Sequence, residues 1–149
     1  MAVIAVARFE RFFRLAASLD VDRQDLKRHE DFVNAKLYHL LVRGEATAKT
    51  NGRDLILPCD LPITKGLQER MHEFRRLDEE LELQPILEQL AKHPPLDLDY
   101  ADDTKARFPA IIGGFSVALA RSFKILEPGL KNPRTEHWQR SFDLFDLTL

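Results

Sequence analysis

The stretch that decides the fold is Asn51-Gly52-Arg53-Asp54-Leu55-Ile56, which is followed by Pro58 and Asp60. An Asn-Gly pair is typical of the left-handed cap that ends a helix. The apolar residues after it form a short extended segment, which Pro58 closes. Asp60 belongs to the residue types that cap helix starts. The sequence therefore predicts a helix ending at Asn51, a short strand, and a further helix that Asp60 caps, with Pro62 in its first turn, running to about Leu77.

Upstream of this stretch, apolar residues recur at helical spacing back to Asp22. They are Leu26, Phe32, Val33, Leu37, Leu40 and Leu41. Asp22, with Asp25 three residues on, has the pattern of a helix start, so a long helix is predicted from there to Asn51. The phenylalanines before it fall at helical spacing and predict a medium-length helix over residues 3–17.

Downstream, the same order of elements returns in looser form. The predicted helices cover residues 81–92, 102–126 (starting at Asp102 or Asp103) and 135–147. Pro109 should kink the second of these or mark a fresh start, because proline cannot donate to the preceding turn. Gly113-Gly114 in the same helix is expected to let another helix cross closely.

The order of helices is thus medium, long, short, twice over. A long helix flanked by shorter ones cannot bury its apolar stripe alone, whereas two such units can cross their long helices and cover each other. We therefore expect an all-α, single compact domain over residues 1–149. Its first half, 1–78, and its second half, 79–149, are expected to pack as an intramolecular pseudodimer.

Composition limits the compartment and the chemistry. Apolar residues make up 44% and charged residues 31%, a normal globular mix. The single cysteine, Cys59, excludes an internal disulfide and a cysteine-based zinc cage, and fits a reducing cytosol. The longest nearly uncharged run, Phe108 to Ala120, is shorter than the ~20 residues that cross a bilayer. We expect a cytoplasmic protein with no membrane partner.

The segment Asn51-Gly52-Arg53, with Ile56 and Asp60, resembles the archaeal histones. In that family a Gly-Arg pair ends the long helix, an isoleucine follows in a short strand, and an aspartate begins the last helix. The register extends without a gap back to Arg11-Phe12-Phe13-Arg14. The second half matches in element order, so the whole chain resembles bacterial proteins with two fused histone folds. The resemblance implies two histone-fold motifs, in which Arg53 and Asp60 are an architectural pair.

The departures from the histone pattern concern DNA binding. Histones grip DNA where the loops of paired units meet, through loop arginines and a Lys-Thr pair after the Gly-Arg turn. The first-loop arginine position here is Asp20, its neighbour is Asp22, and the Lys-Thr pair is Asp54-Leu55. Carboxylates repel phosphates, and phosphate attraction supplies most non-specific DNA affinity. The net charge of -2 is also unusual for a nucleic-acid binder.

What remains of the DNA-binding pattern is a row of arginines on the first helix. Arg11 matches a first-helix arginine of the family, Arg14 stands where the family has a basic residue, and Arg8 extends the row. One hypothesis is therefore a nucleoid-associated protein that binds double-stranded DNA independently of sequence, through phosphate contacts of these arginines.

The alternative hypothesis is a histone-fold interaction module that binds another protein, or itself, without gripping DNA. Charge is uneven: residues 1–78 carry 14 basic and 12 acidic side chains, whereas residues 79–149 carry 8 and 12. An acidic second half would suit a basic partner.

Catalysis is not expected from this sequence. It contains no nucleophile–base arrangement, no zinc-protease helix with histidines at i and i+4, and no Gly-Lys-Ser/Thr phosphate loop. We therefore predict a protein that is not an enzyme, with no catalytic residue, no metal, no cofactor and no small-molecule substrate.

Overall fold

The structure is a computed structural model and describes residues 3–148. Met1, Ala2 and Leu149, the outermost residues of the expected 1–149 domain, lie outside the described residues. In order, the described chain forms α1 (Val3–Ala17), α2 (Arg23–Thr50), β1 (Leu55–Ile56), α3 (Lys65–Leu81), α4 (Gln84–Leu90), β2 (Asp99–Tyr100), α5 (Asp102–Ala106), α6 (Phe108–Leu126) and α7 (Thr135–Thr148). The prediction of an all-α fold is confirmed.

The long helix α2 begins and ends where its capping residues predict. Asp22 Oδ1 accepts a hydrogen bond from Asp25 N at 2.8 Å, and Asp25 Oδ2 accepts one from Asp22 N at 3.1 Å, a reciprocal capping box. After the last turn, Gly52 adopts a φ of +71°, which costs a glycine little. These two caps fix the length of α2 at 28 residues.

The prediction that Asp60 caps the third helix is wrong. Pro58–Asp60 forms a 3-10 turn, in which Asp60 Oδ2 accepts from Leu57 N at 2.8 Å, and α3 starts only after Thr64, whose Oγ1 accepts from Leu67 N at 3.2 Å. Pro62 explains the delay, because a proline disfavours helical geometry in the residue before it. The chain must therefore pass Pro62 in an extended conformation before a helix can begin.

The predicted boundary between the halves, at residues 78 and 79, lies inside α3. This helix continues to Leu81, and Glu82 then ends it in a left-handed conformation with φ of 52°. The helix predicted over residues 81–92 is accordingly shorter and is seen as α4. The continuation buries Leu81 and Leu83, each at most 3% exposed, so core packing outweighs the unfavourable backbone of a non-glycine residue.

The helix predicted over residues 102–126 is divided by the backbone before Pro109. Helix α5 ends at Ala106, Arg107 forms the junction, and α6 starts at Phe108 with Pro109 in its first turn. The stretch Asp102–Leu126 is long and apolar enough to cross a membrane by composition alone, although 67% of its most apolar window is buried inside the protein. A buried core helix has the same composition.

Helix α6 crosses α3 at very close range, as its glycine pair predicts. A Cβ atom built on Gly113 would lie 2.3 Å from the ring of Phe74, and one on Gly114 would lie 2.6 Å from Met71 Cγ. Distances this short leave no room for any side chain. The pair is thus a packing device that brings the two helix backbones together.

Loops of the first half meet loops of the second half at two places. At one, β1 pairs in parallel with β2, with Leu55 opposite Asp99 and Ile56 opposite Tyr100. At the other, the backbone N–H of Asp20 donates to the carbonyl of Lys131 at 2.7 Å. We call the first the acidic junction (residues 51–56 with 96–103) and the second the Lys131 junction (residues 18–22 with 127–134). Between them α2 packs against α6, and buried apolar residues from both halves form one core.

Candidate nucleic-acid interface

Helix α1 presents the predicted arginine row (Arg8, Arg11 and Arg14) to solvent. Its opposite face is fixed by phenylalanines, since Phe12 and Phe13 are fully buried. Burial of that face leaves the row, spaced at three residues, on the outside of the molecule. The structure therefore leaves Arg11 and Arg14 exposed and Arg8 half-buried along one side of α1.

Each arginine of the row contacts an oxygen of this same chain. Arg8 Nη1 donates to the carbonyl of Glu82 at 3.0 Å, Arg11 Nη2 lies 3.4 Å from Glu80 Oε2, and Arg14 Nε lies 3.6 Å from Asp20 Oδ1. The ion-paired side chains are open to water, with 54–69% of their surface exposed. Exposed pairs of this kind contribute about 0–1 kcal/mol, so a phosphate could replace the carboxylate at little cost.

The Lys131 junction lies next to the Arg14 end of the arginine row. Arg14 contacts Asp20, and the backbone of Asp20 is bonded to Lys131 of the second half. Within residues 3–148 the side chain of Lys131 makes no ion pair, and nearby Arg28 Nη2 donates to Thr135 Oγ1 at 2.9 Å. Sequence reasoning missed Lys131, because only the tertiary fold places it beside a residue 111 positions earlier.

The acidic junction is much more strongly negative than the Lys131 junction. Residues 96–103 contain Asp97, Asp99, Asp102 and Asp103 and no cation, and Asp54 lies across from them beside β1. A single cation partly compensates this charge: Lys49 Nζ lies 2.9 Å from Asp97 Oδ2. A phosphate backbone would be repelled at this end of the molecule.

Arg53 and Asp60 form a bidentate pair that clamps the turn after β1. Both Nη atoms of Arg53 lie 2.5 Å from the carboxylate oxygens of Asp60, whose side chain is 1% exposed. The hydrogen bonds from Arg53, and a further one from Leu57 N, hold the pKa of Asp60 below its usual range. Because both Nη atoms of Arg53 donate to Asp60, we interpret the pair as structural.

A buried polar contact crosses the centre of the molecule. His29 Nε2 of α2 lies 2.7 Å from Ser116 Oγ of α6, and the imidazole packs against the rings of Phe9 and Phe13. The hydroxyl of Ser116 donates to the carbonyl of Ile112 at 2.7 Å, so His29 Nε2 carries the hydrogen of the neutral ring. Nδ1 has no partner, and complete burial lowers the pKa of His29 to about 4.

In the part of the chain that the structure describes, no three His, Cys, Asp or Glu side chains are grouped so that they could hold a metal ion.

Similar proteins share this fold. The family model described as "Domain of unknown function (DUF1931)" matches residues 9–146. A crystal structure from Thermus thermophilus is 56% identical, with a TM-score of 0.86 over 97% of each chain. Another from Aquifex aeolicus is 26% identical, with a TM-score of 0.85 over 97% of this chain and 95% of that one. An Aquifex aeolicus (strain VF5) relative described as "Uncharacterized protein" is 29% identical over 107 residues, which are 72% of this chain and 63% of the relative's length.

Proposed function

This chain belongs to the family described as "Domain of unknown function (DUF1931)", and we propose that it is a non-enzymatic, double histone-fold protein of the nucleoid that binds duplex DNA independently of sequence. The contact surface is the arginine row of α1 together with Lys131 of the adjoining junction. The alternative is a protein-interaction module without direct DNA binding.

The arrangement of the two halves supports the double histone fold. The resemblance of the first half to archaeal histones implies that long helices pack against each other and that the loops of one unit meet those of the other. Here α2 packs against α6, and a loop of each half meets a loop of the other at both junctions. The Arg53–Asp60 pair stands where the resemblance places an architectural pair.

One observation supports the DNA proposal: the arginine row of α1 ends beside a loop of the second half. Arg14 Nε lies 3.6 Å from Asp20 Oδ1, and the backbone N–H of Asp20 donates to the carbonyl of Lys131 at 2.7 Å. Such a row can follow a phosphate backbone, and it lacks the planar amide side chains that read base edges. We therefore expect phosphate contacts without base recognition.

The strength of binding follows from the number of cations. About four phosphate contacts, from the arginine row and Lys131, give a log–log salt slope of roughly -3.6 for B-DNA. Asp20 opposes the row at its Arg14 end, so the affinity should be weak and confined to low ionic strength.

The test is fluorescence anisotropy of the whole chain with a short duplex at several salt concentrations. The variant Arg11→Glu/Arg14→Glu should abolish binding, because it reverses two charges within the row. The matched control is Lys105→Glu/Arg107→Glu, which makes the same charge change on two exposed residues beside the acidic junction. Equal loss in both variants would mean that only net charge matters and that the row is not the contact surface.

A second candidate is favoured by the pairing of every arginine in the row. If these contacts hold in solution, α1 offers no free cation, and the acidic junction becomes the strongest charged feature of the molecule. That acidic surface would suit a basic protein partner. The chain would then act as a pairing scaffold, as some histone folds do.

This candidate makes a distinct prediction. Absence of duplex binding at ~50 mM salt, where non-specific electrostatic affinity is strong, would reject the DNA proposal. A stoichiometric basic partner that elutes with the chain, and that Asp97→Asn/Asp99→Asn releases, would establish the interaction module instead.

A further inference from the structure

Two neighbouring cavities form a groove on a different part of the surface. Their volumes are about 350 and about 330 Å³, and both are lined by Thr64, Leu67, Phe115 and Thr148. The walls come from α2, α3, α6 and α7, and among residues 3–148 helix α1 contributes none of them. We call this the α3–α7 groove. Its volume is in the range of protein sites for small organic ligands.

One end of the groove is cationic. Lys36, His39 and Arg43 line it from α2, at spacings of three and four residues that place them on one helix face. The side chain of Lys36 is only 5% exposed, and its ammonium lies 5.8 Å from the centre of the Phe32 ring. No carboxylate of the described residues lines either cavity.

An exposed acid, Asp146, pairs with this cationic cluster. Asp146 Oδ1 of α7 accepts a hydrogen bond from Lys36 Nζ, while 64% of the Asp146 side chain remains exposed. That hydrogen bond lowers the pKa of Asp146, and the nearby His39 adds to the effect. Arg43 makes no ion pair within the described chain. The cationic end therefore attracts negative charge and is only partly satisfied by its own protein.

The other end of the groove is apolar. Phe145 and Leu144 of α7 and Ile125 of α6 line it, and Ile125 is 80% exposed and Leu144 44%. Two arginines in this wall are paired with two carboxylates of α3: Arg70 Nε and Arg121 Nη1 both lie 3.1 Å from Glu73 Oε2, and Arg70 Nη2 lies 3.4 Å from Glu69 Oε2. Large apolar side chains exposed beside a cavity are typical of ligand grooves.

We propose that the α3–α7 groove binds an aliphatic carboxylate, whose head group lies between Lys36 and Arg43 and whose tail runs along Phe115 towards Ile125. The cationic residues of the lining favour an anionic head group, and the apolar residues of the lining favour an aliphatic tail. From Phe115 to Ile125 helix α6 rises roughly 15 Å, which is room for a tail of medium length. The ligand's carboxylate takes the place of Asp146 as the partner of Lys36.

The experiment is isothermal titration calorimetry of the whole chain with sodium decanoate, below its micelle concentration. Decanol and decyltrimethylammonium are the controls, because they keep the tail and change the head group. Decanoate should bind with a stoichiometry near one and more tightly than both controls.

Three variants separate head-group recognition from simple apolar contact. Arg43→Gln, an exposed position that does not threaten the fold, should weaken decanoate binding about tenfold. Asp146→Asn should strengthen it, because the competing carboxylate is gone. Lys27→Gln, an exposed cation of the same helix that lies outside the groove, should change nothing. No heat of binding for decanoate, or equal affinity for decanol with no response to Arg43→Gln and Asp146→Asn, would overturn the proposal.

Discussion

The buried imidazole of His29 makes the stability of the fold depend on pH in a calculable way. In the folded protein the pKa of His29 is lowered from 6.5 to about 4, because burial disfavours the charged ring. A proton added at Nδ1 would also find no hydrogen-bond acceptor among residues 3–148. The unfolded chain therefore binds a proton at His29 near pH 6.5, whereas the folded chain does not until about pH 4. The free energy of unfolding contributed by this site is intact above pH 6.5 and is lost as the pH falls towards 4.

The magnitude follows from the size of the shift. A displacement of about 2.5 units corresponds to about 3 kcal/mol when fully developed, at 1.36 kcal/mol per unit. Between pH 7 and pH 5 only part of it is realised, about 2 kcal/mol. For a domain whose whole stability is roughly 5–15 kcal/mol, this is a measurable loss.

The variant His29→Leu removes the titration without leaving a buried donor unpaired, because the hydroxyl of Ser116 still donates to Ile112. Urea unfolding of both proteins at pH 7, 6 and 5, followed by far-UV circular dichroism, gives the two pH profiles. Other titrating groups contribute equally to both profiles, so their difference isolates His29. The wild type should lose about 2 kcal/mol more than the variant between pH 7 and pH 5. Parallel profiles would refute the assignment of a neutral, buried imidazole.

Two substitutions test the packing and capping contacts. Asp60→Ala should lower the free energy of unfolding by about 2 kcal/mol, since it leaves the Leu57 N–H unpaired. The control Asp60→Asn keeps an acceptor for that N–H and should cost less. Equal losses for the two variants in urea unfolding would contradict this prediction. Gly113→Ala should destabilise by about 1–3 kcal/mol, because its Cβ meets the ring of Phe74 at 2.3 Å. Gly66→Ala in α3, with no atom within 4 Å of its added Cβ, is the control and should cost nothing. A thermal melting curve in which both alanines behave alike would show that the close approach of α3 and α6 is wrong.

Local signals in the sequence were sufficient for three helices. Helices α1 and α2 have the predicted bounds, and α7 is one residue longer than predicted. The apolar spacing marks all three, and α2 also carries its own capping residues. The end of α3 could not be predicted, since Glu82 adopts a left-handed conformation without the glycine or asparagine that usually marks one. Burial of Leu81 and Leu83 decides that boundary, and burial is a property of the assembled core.

The candidate interface was predictable in part for a similar reason. The exposure of the arginine row follows from the buried phenylalanines of its own helix, which helical periodicity reveals. Its partners do not, because Glu80 and Glu82 lie about 70 residues away in sequence and reach α1 only through the packing of α3. The position of Lys131 could not be predicted either, because two loops that are far apart in sequence meet there.

The difference in charge between the two junctions limits what the proposed DNA contact can be. A duplex that follows the arginine row reaches the Lys131 junction through Arg14. Residues 18–22 and 127–134 carry two cations there, Lys131 and Arg134, against three carboxylates, Asp20, Asp22 and Glu127. At the opposite end, four aspartates within residues 96–103 would repel the same backbone, and Lys49 offsets only one of them. Contact at one end cannot be extended across the molecule to the other. Under the DNA proposal, this protein therefore holds a duplex at one side rather than bending it around both ends.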